Sequence, residues 1–260
     1  MPRAAIRDRI YRRRRYTPEI IELCVRWYIT YRLSYRDLVA MMAERGVAVS
    51  HTTIMRWVLR YVPEYEVRWA RFARPVDASW RMDETAVPVR GGRYYLYRAV
   101  DRHGKSVESL LCDNRGMEAA QAFFRKAVDS HWAPGWPRKV NLDGNTASHR
   151  ALRLLGHSDP RWKKVVVRGR RYLNNIVEQD HRAIKRRCAS MTGFKSFATA
   201  TVALAGIELA HRIRKGQFSF GRTRPRAARS LKELWDQALH SKSAVGDQLC
   251  SMTNAPELTC

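Results

Sequence analysis

"SWRMDETAVPVRGGRYYLYRAVDRHGKSVESLLCD", residues 79–113, is where the texture of the chain changes. Three runs rich in β-branched and aromatic residues, 79–91, 93–104 and 106–113, are separated by glycine-containing turns, which predicts three consecutive strands. Downstream the pattern alternates. A helix is expected over 117–130, a strand over 139–143 ("KVNLD"), a helix over 146–155, a strand over 163–167 and a long helix over 174–191. After Gly193 a further helix is expected over 197–215. The order βββαβαβα predicts an α/β region, a mixed sheet flanked by helices.

Upstream, residues 17–62 read as all-helical. Ile20, Cys24, Trp27, Tyr28 and Tyr31 recur at helical spacing. "SYRD" (34–37) is a capping box opening a second helix, which carries Leu38, Met41 and Met42 on one face and stops at Gly46. Ser50 can cap a third helix with Ile54, Trp57, Val58 and Tyr61 inward, and Pro63 marks a point beyond which it need not continue. Helix, tight glycine turn, helix is the helix-turn-helix pattern. The start of its last helix would face base edges, so His51, Thr52, Thr53, Arg56 and Arg60 are candidate DNA contacts, and Arg56 could pair bidentately with guanine. The same spacing also suits a small helical bundle with a polar outer face. The expected layout is a basic arm (1–16), a helix-turn-helix domain (17–62), a linker (63–78), the α/β domain (79–217) and a C-terminal appendage (218–260).

Charge narrows the choice of partner. Lys and Arg number 49 against 24 acids, a net charge of +25, which points to a polyanion, with nucleic acid ahead of an anionic membrane. The most apolar run, 198–210, is shorter than the ~20 residues of a membrane span and contains Glu208. The N-terminus has no apolar signal core. Five scattered cysteines without a C-x-x-C pair suggest a reducing cytoplasm, no disulfide framework and no zinc site.

Against this background the acids stand out. Residues 161–229 contain 18 Lys or Arg and only Glu178, Asp180 and Glu208. Asp83 lies within the first expected strand and Asp143 at the end of the fourth. The element order is also that of the RNase H fold; if the sheet is built that way, strands one and four are neighbours and the long helix crosses them. Asp83, Asp143 and Glu178 would then meet at one sheet edge, where hard oxygen ligands suit Mg²⁺ or Mn²⁺. Each acid has a plainer reading: Asp83 as a strand residue, Asp143 as the start of a "DGN" turn, and Asp101 as a competing strand-end acid. At 100° per residue, Leu173, Ile176, Val177, Ile184, Cys188 and Met191 form the buried stripe of the long helix, with Asp180 inside it and Glu178 and Lys185 at its edge. Glu178 is therefore the expected ligand. Asp180 is expected to make a buried hydrogen bond or ion pair, for which an Arg of the same cluster is one candidate partner, because an unpaired buried charge is costly. His181 could touch DNA, hold Glu178 or join a solvated ion-pair row. Arg168, Arg170, Arg171, Arg182, Lys185, Arg186 and Arg187 would hold phosphates and make binding salt-dependent.

"WRMDET", "YLYRAVD", "VNLDGN" and "YLNNIVEQDHRAIKRR…MTGFKSF", in that order behind a helix-turn-helix, resemble the DDE transposases of bacterial insertion sequences, in particular insertion-sequence family six, over residues 16–217. Asp143 and Glu178 stand at that group's spacing, and Lys185 lies seven residues after Glu178, where such enzymes commonly carry a Lys or Arg. The resemblance implies catalytic residues Asp83, Asp143, Glu178 and Lys185, with the three acids holding two Mg²⁺ that Mn²⁺ can replace. It also implies 3′-end cleavage by water, then strand transfer into target DNA by the freed 3′-OH without a covalent enzyme intermediate. The expected partners are double-stranded DNA, as element ends and target, and at least one further copy of the chain, commonly with cointegrate products. The expected location is the bacterial nucleoid. The chain departs from the family at Ala86, Gly144, Thr146-Ala147 and Ser148, which bears on DNA contacts near the site and on whether this copy is active. The rival readings are a non-enzymatic DNA-binding regulator or inactive transposase, and a nuclease that cuts without joining.

Overall fold

The structure, a computed structural model, describes residues 8–240 except 13–14, 131, 133–134, 145, 192 and 221–229. Most of the expected basic arm and appendage lies outside the described residues. The first compact unit ends at Ser219 and the second begins at Phe220.

Three helices open the first unit: α1 (Pro18–Thr30), α2 (Tyr35–Ala43) and α3 (His51–Ala70). The capping box forms as expected, with Asp37 N–H donating to Ser34 Oγ (3.1 Å) and Ser34 N–H to Asp37 Oδ2 (2.7 Å). Ser50 Oγ accepts from Thr53 N–H at 3.2 Å and starts α3. Gly46, at φ +70°, supplies the left-handed residue after α2. The buried face of α1 is Ile21, Cys24, Val25, Tyr28 and Ile29, whereas Tyr31 caps the helix and is exposed.

The third helix departs from expectation by continuing through Pro63 to Ala70, so the first part of the expected linker is helical. Pro63 removes one backbone hydrogen bond, a cost of about 3 kcal/mol. Its ring is exposed, and the turns beyond it bury Tyr65 and Trp69 completely. Tyr65 Oη lies 2.9 Å from Tyr11 Oη, and Trp69 meets Phe218 edge-on. Burial of those rings at ~25 cal/mol per Å² of apolar surface offsets the lost bond.

The sheet has strand order β3-β2-β1-β4-β5, formed by β1 (Ser79–Val89), β2 (Gly92–Asp101), β3 (Ser106–Cys112), β4 (Lys139–Asn141) and β5 (Val166–Arg168). β1, β2 and β3 pair antiparallel, and β4 and β5 join parallel to β1. The two-residue turn Arg90-Gly91, with Gly91 at φ +90°, closes the first hairpin. Trp80 pairs with Val140, so strands one and four are neighbours. This is the RNase H-like arrangement.

Helices α4 (Met117–Val128), α5 (Thr146–Ser158) and α6 (Pro160–Lys163) share a core with the sheet through Trp80, Met82, Tyr97, Phe123, Leu152 and Trp162. Helices α7 (Asn175–Cys188) and α8 (Phe197–Arg214) also pack against the sheet. The short α6 was not foreseen; Asp159 caps it, and β5 begins only at Val166, three residues later than expected. Helix α8 also packs on α1 and α3. A Cβ at Gly206 would lie 2.7 Å from Ile29 Cγ2 and 3.0 Å from Val62 Cγ2, so this close approach requires glycine.

In the second unit, Ser230 and Glu233 form a capping box at the start of α9 (Leu231–His240). Among the described residues no helix is long and apolar enough to cross a membrane.

Candidate active site

Asp83 is carried on β1, and Asp143 lies two residues beyond the end of β4. Because those strands are parallel neighbours, both acids reach the same rim of the sheet. One carboxylate oxygen from each of Asp83, Glu84 and Asp143 lies within 4.8 Å of the others. Glu178 stands outside this group, exposed in the first turn of α7.

A buried amide pair fixes the rim. Asn141 Nδ2 donates to Asn174 Oδ1 at 2.7 Å and to the Arg170 carbonyl at 3.0 Å, and Asn174 Nδ2 reaches the Met82 carbonyl at 3.4 Å. These contacts tie β4, β1 and the approach to α7 together, one residue from Asp83, two from Asp143 and four from Glu178. His181, one helical turn after Glu178, is buried with its Nε2 3.3 Å from Asp83 Oδ2. Residues three apart on a helix are ~5–6 Å apart at Cβ, so Glu178 stands beside the residue that touches Asp83. The positive end of the α7 dipole also favours a carboxylate there. His149 Nε2, from α5, lies 3.1 Å from the Asp143 carbonyl.

Glu84 was missed in the sequence. Alternation along β1 sends it to the opposite side from Asp83, where its carboxylate is almost fully buried and ion-paired with Arg115. Burial raises the Glu84 carboxyl above its ordinary value, the Arg115 contact opposes this, and the charges of Asp143 and Asp83 add to the rise. Arg115 also stands 3.9 Å from Asp143 Oδ2, so it orients two of the clustered acids. No sequence signal links positions 84 and 115.

Asp180 behaves differently from Glu178 on the same helix. It is buried and paired with Arg98 (3.1 Å), His211 (3.1 Å) and Lys215. Burial alone would raise its carboxyl, but the His211 hydrogen bond and the charges of Arg98 and Lys215 outweigh that and hold it well below the usual range. The expectation of a buried ion pair holds, with a correction to the partner. Arg98 sits directly across β1 from Asp83 in the register, is fully buried, and also binds Glu208 through Nε at 2.5 Å. Asp101 is likewise structural, accepting backbone N–H from Asp77, His103 and Lys105 at 2.8–3.0 Å.

His51, Thr52, Arg56 and Arg60 are exposed on α3, while Thr53 is half-buried with its hydroxyl against Ser50. Arg182, Lys185 and Arg186 are exposed on α7, and seven residues place Lys185 on the Glu178 face. Arg187, expected as a DNA contact, is buried over the Tyr28 ring, and its Nη2 donates to the Leu33 carbonyl. The Arg171 side chain lies outside the described residues. Ser148 is buried in α5, Ala86 is half-buried, and Gly144 is exposed.

The family model described as a DDE domain matches residues 77–217. The chain is 34% identical over 205 residues to the transposase for insertion sequence-like element IS431mec of Staphylococcus aureus strain Mu50, covering 79% of this chain and 88% of that one. It is 33% identical, with the same coverage, to the transposase for insertion sequence element IS257 in transposon Tn4003 of Staphylococcus aureus. Among solved structures it is similar to the catalytic core domain of BIV integrase (17% identity, TM-score 0.38, 51% of this chain and 83% of that one). It is also similar to the HTLV-2 integrase catalytic core domain in complex with magnesium (14% identity, TM-score 0.39, 52% and 86%). The protein's class is that of DDE-type polynucleotidyl transferases. Within it, the chain belongs to the DDE transposases of bacterial insertion sequences, in insertion-sequence family six.

Proposed function

We propose that the protein recognises the ends of its insertion element through the helix-turn-helix region, cleaves at the 3′ ends and joins them to target DNA, with Asp83, Asp143 and Glu178 as the metal ligands. The observation that carries this reading is the acid-rich rim where β4 ends alongside β1, beside α7, in a chain of net charge +25. Its donors are all carboxylate oxygens, which fit a hard divalent cation. When bound, two Mg²⁺ ions, replaceable by Mn²⁺, would activate an attacking oxygen and stabilise a leaving oxygen in an in-line displacement at phosphorus.

The protein's own groups do the rest. Asp83 and Asp143 are held at the rim by the Asn141–Asn174 pair, and Glu178 stands on α7 one turn before His181, which touches Asp83. Arg115 keeps Glu84 engaged on the other side, so Glu84 orients the cluster and Glu178 is the third ligand. Lys185, on the Glu178 face, contacts the DNA near the reacting phosphate, and Arg182 and Arg186 hold the backbone. His51, Thr52, Thr53, Arg56 and Arg60 read the element ends. The extent of these regions is proposed as 17–70 for end binding and 79–217 for chemistry. The active form is at least a dimer acting on paired ends in the bacterial cytoplasm, at the nucleoid.

The test is to incubate the full chain with element-end DNA, a target plasmid and Mg²⁺. Joined products with wild type but not with Glu178→Gln are expected. Cleavage without joining would identify a nuclease, and DNA binding without Mg²⁺-dependent chemistry would identify a regulator or an inactive copy.

A further inference from the structure

Arg115 touches two of the clustered acids, and only part of its guanidinium is spent on them. Nε donates to Glu84 Oε1, and Nη2 stands 3.9 Å from Asp143 Oδ2, too far for a hydrogen bond. Among the described residues the Nη1 and Nη2 N–H groups have no hydrogen-bond acceptor. The arginine side chain is 51% exposed, whereas the Glu84 side chain that anchors it is 1% exposed. One edge of the guanidinium is therefore tied to the fold, and the other opens to solvent at the acidic rim.

The backbone beneath it is fixed as well. Arg115 lies just before α4, where Asn114 Oδ1 accepts from Gly116 N–H at 2.8 Å and the Gly116 carbonyl accepts from Tyr97 Oη at 3.5 Å. Neutralising a buried carboxylate needs a single positive charge, which a lysine would supply. A guanidinium adds a second, planar edge that matches two oxygens of a phosphate. With Nε already held by Glu84, that edge loses little freedom on meeting an anion, the condition for electrostatic stabilisation of a transition state. A phosphodiester that reaches Asp143 meets this edge beside it.

We propose that Arg115 is a catalytic residue, whose Nη1–Nη2 edge donates to a non-bridging oxygen of the phosphate being cut or joined. There it stabilises the negative charge that builds as the attacking oxygen bonds to phosphorus and the leaving oxygen departs, and it keeps its own protons throughout. The role rests on the transposase reading above and goes beyond the orienting of Glu84 and Asp143.

The test compares wild type, Arg115→Lys and Arg115→Gln as full chains bound to element-end DNA. Each is shown to be folded by thermal melting and is assayed at Mn²⁺ concentrations that titration shows to saturate it. The single-turnover rate of cleavage and joining is expected to fall about 10²-fold in Arg115→Gln, with partial recovery in Arg115→Lys and duplex affinity within about twofold of wild type. A purely orienting role would be repaired by saturating metal, so an unchanged rate in folded Arg115→Gln overturns the proposal. The second readout is stereospecific sulfur substitution at the reacting phosphate. Sulfur accepts hydrogen bonds weakly, and Mn²⁺ tolerates it better than Mg²⁺ does, so in Mn²⁺ a loss at one stereoisomer reports a lost donor rather than a lost metal contact. Wild type is expected to slow about tenfold with one isomer, and Arg115→Gln to show no further loss with it. No such isomer in wild type, or the same loss in both proteins, overturns the proposal. In each of these cases an active wild type leaves the transposase reading intact. A wild type that neither cuts nor joins with any divalent metal overturns that reading, and the role of Arg115 falls with it.

Discussion

Two groups of charges flank β1, built from the same side chains and put to opposite uses. Around Arg98, the carboxylates of Asp180 and Glu208 are buried and surrounded by Arg98, His211 and Lys215. At the rim, Asp83, Glu84 and Asp143 cluster with Arg115, and the Asp83 and Asp143 side chains stay 17% and 33% exposed. The first group is neutralised within the fold, so its carboxylates have nothing left to offer a ligand. The second keeps negative charge in excess and open to solvent, the condition for taking up a cation. An acid's role here follows from the local charge balance and its access to solvent.

The largest effect expected from breaking this contrast is at the rim. Asp83→Asn and Asp143→Asn should each reduce strand transfer by ~10³-fold or more, about 4 kcal/mol of transition-state stabilisation. Because each removes a like charge from the cluster, melting temperature should stay level or rise; a gel assay paired with a thermal melt checks both. At the buried group the pattern should invert. Arg98→Met takes the hydrogen-bonded partner from buried Glu208 and one of three partners from Asp180, and should cost ~3–5 kcal/mol of stability in denaturant unfolding. Arg115→Gln sits between these cases. By loosening Glu84 and Asp143 without removing a ligand, it should weaken metal affinity ~10–100-fold, read by calorimetry.

The smallest effect concerns Glu66, beside Glu108 and Arg212, where burial and the Glu108 charge push the carboxyl up to about 7. A raised carboxyl favours the neutral form in the folded state. The stability it contributes is complete below the ordinary value of 4.5 and is lost as pH rises through about 7. Glu66→Gln should therefore raise the melting temperature by about 3 °C at pH 8 and leave it unchanged at pH 4.5.

Local signals made much of this legible in the sequence. The β1–β2–β3 meander could be read from residue types and glycine turns, and the separation of Glu178 from Asp180 from helical phase. What escaped depends on contacts distant in sequence. Arg98 as the partner of Asp180 and Arg115 as the partner of Glu84 follow from strand register and loop placement. The burial of Arg187 follows from α1 packing beside α7. Helix α3 passes through Pro63 because Tyr65 and Trp69 have a core to enter, which propensity alone could not show.

The most direct measurement of the central claim is Mn²⁺ binding by calorimetry to wild type, Glu178→Gln and Asp180→Asn, each shown to be folded. Binding retained by Asp180→Asn and lost or sharply weakened in Glu178→Gln is the predicted result. Loss in a folded Asp180→Asn with Glu178→Gln unaffected would contradict it.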